Sequence, residues 1–206
     1  MLTVGNNHLV VEELLGNGLL SCPGCGGRLG GHGHAVRRRV FMAGRIPACV
    51  RPRRSRCSSC GSTHVLLPAW LLARRCDGTC VIGDMLARAA RGQGFRGIAA
   101  ASGVPEGTVR SRLRRFRVSA SRVREFFTRL AGVLAVDPVP LDPAGSVLAD
   151  AVVAVAAAAA AAAGRWPGMA VLSGWELAAA LTLGSLLSPS VVFARVRGSM
   201  PASALS

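Results

Sequence analysis

IAAASGVPEGTVRSRLRRF, residues Ile98 to Phe116, sets a thin helix, a glycine turn and an arginine-studded second helix in succession, the order of a helix-turn-helix. Gly103 falls where two short helices cross and the chain needs a positive φ, which glycine adopts without a Cβ penalty. Ala99 and Ala100 keep the first helix slim enough for the second to lie across it. Pro105 suits the opening turn of the second helix, where a missing N–H loses nothing. Val109, Leu113 and Phe116 recur at i, i+4 and i+7 as one apolar stripe. Opposite that stripe stand Gly107, Arg110, Ser111 and Arg114. Arginines with small neighbours suit the major groove, where a guanidinium meets guanine O6 and N7 with two hydrogen bonds. The expectation is that Gly107, Arg110, Ser111 and Arg114 face base edges of double-stranded DNA, with Arg96, Arg112 and Arg115 near phosphates. A helical hairpin with a solvated basic face has the same local pattern, so the remainder of the chain must decide between them.

Charge favours the first reading. The chain has 206 residues, half of them hydrophobic, enough for a sizeable core. Twenty-two of its 25 arginines lie between Arg28 and Arg129, against four of its ten acids, so this segment carries +18 of a net +15. Such a block is a footprint for a polyanion, because each neutralised phosphate releases condensed counterions. The absence of lysine reflects base composition and discounts the abundance of arginine, though not its clustering. Residues Met1 to Gly18 lack a basic start and a continuous apolar run and contain Glu12 and Glu13, which reads as cytoplasmic rather than as a signal peptide.

Cys22-Pro-Gly-Cys25-Gly and Cys57-Ser-Ser-Cys60-Gly repeat the unit C-x-x-C-G across the 31 intervening residues 26–56. Each unit predicts a tight knuckle with backbone N–H groups aimed at sulfur, and two knuckles supply the four thiolates of a tetrahedral Zn²⁺ site. Val36 to Met42 and Ala48 to Arg56 read as the strands of a ribbon turning at Gly44, the second delivering Cys57. His32, His34 and Cys49 lie between the pairs and can substitute as ligands, but the duplicated knuckle makes them unnecessary. Cys76 and Cys80 read as incidental thiols at i, i+4 on a helix.

The fold expected is mainly α. Residues 1–68 hold an N-terminal helix, Leu9 to Leu15, and a small zinc-ribbon-like β module. Residues 76–118 make a three-helix helix-turn-helix unit whose first helix is capped by Asp77 or Thr79. Residues 119–136 form a separate amphipathic helix, begun by Ser119 or Ser121, that covers the unit or pairs with a second copy as a homodimer. A proline linker occupies 137–146, Ala-rich helices 147–190 with Ser173 as an N-cap, and a disordered tail 191–206. Asp150 and Glu176 argue against reading the Ala-rich region as a membrane hairpin.

Beyond composition and spacing, VPEGTVRSRLRR, Val104 to Arg115, resembles the recognition helix of sigma-factor region 4 and helix-turn-helix segments of insertion-sequence transposases. CPGCGGRLGGHGHAVRRR, RPRRSRCSSCGSTHVLLPAWLLARR and GWELAAALTLGSLLSP together resemble an uncharacterised domain-of-unknown-function family of high-GC Gram-positive bacteria. That resemblance, over about Val10 to Pro189, implies a zinc knuckle pair followed by a helix-turn-helix, like the DNA-recognition front end of a transposase. Arg112 stands where many helix-turn-helix motifs place an apolar residue, though it also occurs in the sigma-like pattern. A transcriptional regulator or a transposase-derived recognition module is expected, with no small-molecule substrate. An active transposase would need paired carboxylates for Mg²⁺, and the ten acids are scattered, so the chain reads as no enzyme. A membrane-anchored regulator is the alternative.

Overall fold

In the computed structural model, which describes residues 1–166 and 172–194, strands occupy the first third of the chain and helices the remainder. The strands are β1 (Leu2–Val4), β2 (Leu29–His34), β3 (Arg38–Phe41), β4 (Pro47–Val50), β5 (Arg53–Cys57) and β6 (Thr63–Pro68). The helices are α1 (His8–Gly16), α2 (Thr79–Ala90), α3 (Phe95–Ser102), α4 (Glu106–Leu134), α5 (Val147–Arg165) and α6 (Gly174–Leu181). One sheet has the order β1-β6-β5-β2, with β1 parallel to β6 and the other neighbours antiparallel, while β3 and β4 form a separate hairpin.

The expected ribbon is therefore divided. Gly44 does turn a hairpin, with φ of 67° inside the short 3-10 turn Ala43–Arg45. Its second strand stops before Pro52, which has no N–H to continue the ladder. Cys57 is delivered by β5, on the other side of that proline, and β5 pairs with the glycine-rich β2 and with β6. The hairpin docks through its end: the Phe41 N–H donates to the Cys76 carbonyl and the Gly78 N–H donates to the Phe41 carbonyl.

Three further expectations are corrected. Gly78, not Asp77 or Thr79, stands at the N-cap of α2, and no side chain caps that end. The boundary placed at 118/119 falls inside α4, one helix of 29 residues. Ser119 caps nothing: its buried hydroxyl donates to the carbonyls of Phe116 and Leu186, the second a tertiary bond to the turns after α6. Residues 191–194 are packed rather than a tail, with Val191 buried and Phe193 stacked on Phe126 at 4.3 Å; residues 195–206 lie outside the described residues.

The main core lies among α2 to α6. Val109, Leu113, Phe116, Val123, Phe127, Leu130 and Leu134 bury one face of α4, and Ala151, Ala154, Ala158 and Ala162 bury the face of α5 that meets it. α5 is long and apolar enough to cross a membrane by length and composition, with mean hydropathy 2.0. Ser173 caps α6 as expected, in a reciprocal capping box with Glu176. α6 then ends at Leu181, short of Pro189, in a Schellman closure: Gly184 N–H donates to Ala179 and Leu183 N–H to Ala180, with Leu183 left-handed at φ 50°.

Candidate metal centre and nucleic-acid interface

The two C-x-x-C-G units fold identically. Cys22 N–H donates to Gly27 O and Gly26 N–H to Cys22 O; Cys57 N–H donates to Ser62 O and Gly61 N–H to Cys57 O. Gly26 and Gly61 take φ of 74° and 72°, the left-handed turn that lets each knuckle close. The amides of Ser59 and Cys60 point at Cys57 Sγ, at 3.4 and 3.5 Å.

The four sulfurs of Cys22, Cys25, Cys57 and Cys60 lie within 4.8 Å of one another. Cys22 and Cys60 are 3.8 Å apart and Cys25 and Cys57 3.5 Å, and none is in a disulfide. A tetrahedral metal with sulfur bonds of about 2.3 Å has sulfur–sulfur edges of about 3.8 Å, so the donor set fits such an ion. The thiols share protons unequally. Hydrogen bonds from the Ser62 side chain and amide, then from Cys25 and Cys57, draw Cys60 down to about 6. The amide of Cys60 lowers Cys57 against its burial. The Gly27 amide pulls Cys25 down, but contacts with Cys57 and Cys60 and burial outweigh it and push Cys25 up to about 12. A bound metal replaces these protons with its own charge.

His64, which spacing did not single out, lies beside the cluster. Its Nε2 is 3.3 Å from Cys22 Sγ and its Nδ1 3.1 Å from the Met1 amino group. Burial first, then that amino group, pushes the ring down toward neutrality. With Nδ1 accepting, Nε2 carries the proton and donates to sulfur, the role of an outer-sphere donor to a metal thiolate. The sequence signal is the position of His64 four residues after Cys60. His32 and His34 are exposed on β2 and Cys49 on β4, and none belongs to the cluster among the described residues.

On the helical side, Gly103 closes α3 at φ 66° with its N–H on Ala99 O. α4 then buries Val109, Leu113 and Phe116 and leaves Gly107, Arg110 and Arg114 exposed and Ser111 half-buried. Arg110 reaches back over the Phe95 ring at 5.8 Å, and the exposed Arg96 lies 4.0 Å from Glu106 across the turn. Arg115 is exposed.

Arg112 departs from expectation. It is 6% exposed and ion-paired with Asp77, itself 1% exposed, which also binds Arg45 Nη1 at 2.8 Å. A guanidinium held inside by a carboxylate cannot reach a phosphate. Asp77 is thus the junction between the β3–β4 turn, the start of α2 and the second turn of α4. Cys76 precedes α2 instead of lying on it, 4.0 Å from Arg112.

No curated protein and no solved structure matches the chain. Residues 22–100, from the first knuckle cysteine through most of α3, match the model of a family described as a domain of unknown function, DUF6431.

Proposed function

We propose that this is a zinc-stabilised DNA-binding protein of helix-turn-helix type, a transcriptional regulator or a transposase-derived recognition module that lacks a catalytic domain. The observation that carries the reading is the face of α4 that leaves Gly107, Arg110 and Arg114 exposed and Ser111 half-buried, directly after a left-handed glycine turn and within a segment of net positive charge. The four-cysteine geometry supports zinc, which would be held by Cys22, Cys25, Cys57 and Cys60 and would close the two knuckles against each other. The exposed Arg96 and Arg115 meet phosphates in this reading, while Arg112 stays paired with Asp77. In this reading the chain works in the cytoplasm, and it binds rather than catalyses.

Selection of bound duplexes from a random pool, with and without a zinc chelator, tests motif and metal together. A recovered consensus that Arg110→Ala relaxes, and that Arg115→Ala leaves intact while weakening every duplex alike, supports the assignment. Equal affinity of wild type and Arg110→Ala for all duplexes rejects it. The hydropathy of α5 favours a second reading, a membrane-anchored regulator. Full-length protein that stays in the soluble fraction without detergent removes that reading.

A further inference from the structure

Beside the α4 face runs a cleft of about 370 Å³ between the segment after β6 and the turns that follow α6. Arg74, Arg75 and Arg115 line it together with Gly184, Ser185 and Ser188, and no acidic residue does. Asp77, two residues after Arg75, is already taken by Arg45 and Arg112. Arg75 Nε is buried without a hydrogen-bond partner among the described residues, and so is Arg112 Nη1 just behind it. Burial first, then the charges of Arg115 and Arg112, pushes the Arg75 guanidinium down, with Cys76 opposing. Buried N–H groups of a cation are seldom left unmet in a folded protein, and like charges are seldom gathered without a counter-charge.

On the lip after β6, Arg74 holds backbone in the left-handed region at φ 56°, and the facing lip is the turn that closes α6. They are tied by the Ala73 N–H donating to Gly184 O at 3.0 Å, an approach so close that a Cβ on Gly184 would lie 3.3 Å from Ala73 N. Such geometry concentrates where a site is being shaped. Arg115 is one helical turn beyond Ser111, about 6 Å along α4, so an anion in the cleft borders whatever the α4 face contacts.

We infer that this cleft binds a phosphate group, the backbone phosphodiester that flanks the duplex segment contacted by α4, with Arg74, Arg75 and Arg115 as donors and Ser185 and Ser188 at its far wall. The inference rests on the DNA-binding reading above and adds to it a contact from the loop after β6 and from the C-terminal turns.

The experiment compares wild type with Arg74→Gln, Arg75→Gln and Arg129→Gln. Arg129 serves as control because it lies far along α4, paired with Glu125. Duplex affinity is measured from low to moderate salt, alongside calorimetric titration with inorganic phosphate. Expected are affinity losses of about tenfold for Arg75→Gln on every sequence, a salt slope shallower by about 1, an unchanged sequence preference, and no effect of Arg129→Gln. The exposed Arg74→Gln, which does not threaten folding, loses affinity in the same direction. Wild-type affinity and slope in both variants overturn the inference and leave the DNA reading standing. If wild type binds no duplex, the DNA reading fails and inorganic phosphate decides: saturable binding lost in Arg75→Gln keeps the cleft as a phosphate site, and no binding removes it.

Discussion

Between the sheet and α1, nine buried residues form the core, and two of them are the metal-site cysteines Cys22 and Cys57. Among α2 to α6, thirty described residues form a continuous core, anchored by Phe116 and Phe127. The first region has β2 with five of six residues exposed and glycine at three of them. Its apolar core is small, and a metal held by the four thiols would supply cohesion that the core does not. The second region needs no such device: Val, Leu and Phe side chains of α4 pack against the alanine face of α5. The difference teaches where each region is vulnerable. The sheet fails through its sulfurs, and the helices fail through volume.

Metal removal should divide the molecule most sharply. Structural tetrathiolate sites contribute about 10–16 kcal/mol, so a chelator or Cys57→Ser is expected to abolish protected amides in β2 and β5 by hydrogen exchange, while the far-ultraviolet helical signal persists. Loss of the helices in the same transition would show that the two regions stand or fall together. Next in size is Asp77→Ala at the junction. It strands Arg112 as an unpaired charge in a site 6% exposed, and about 3–5 kcal/mol should be lost in urea unfolding. Adding Arg112→Met should restore most of it; a loss below about 1 kcal/mol would mean that the ion pair does not join the regions.

Smaller effects probe the helices by volume. A Cβ on Gly83 of α2 would run into the Trp175 ring. Gly83→Ala should therefore destabilise by about 2 kcal/mol, overpacking outweighing a gain of about 1 kcal/mol in helix propensity. Trp175→Ala in the same chain should turn the substitution neutral or favourable. Smallest is Ser173→Ala, which removes the capping box of α6 and should cost about 1 kcal/mol. An unchanged melting temperature there would show that Asn6, bound to Glu176 at 2.8 Å, holds α6 without its cap.

What could be read in advance follows the range of the interaction. The knuckles, the Gly103 turn, the α4 stripe and the Ser173 cap are set by residues within a few positions of each other, and periodicity and turn chemistry expose them. Asp77 reads as a cap because an acid before a helix usually is one; its partner Arg112 lies 35 positions away and reads as an arginine near phosphates. Ser119 misled in the same way, its hydroxyl serving Leu186, 67 positions on. β1 and β2 were passed over because three residues and a glycine-rich run carry no alternation. The cleft at Arg75 joins segments more than 100 positions apart, and local pattern holds no trace of it.

The pairing of β1 with β6 carries a consequence for the order of events in folding. Leu2 lies opposite Leu66, a closure over more than sixty residues, whereas α4 and α5 meet across a connection of twelve, residues 135–146. Topologies built from neighbours form fast and distant parallel pairings form slowly. The β1–β6 pairing is thus expected to close after α4 and α5 have met, with Leu2 and Leu66 among the last core residues to be covered.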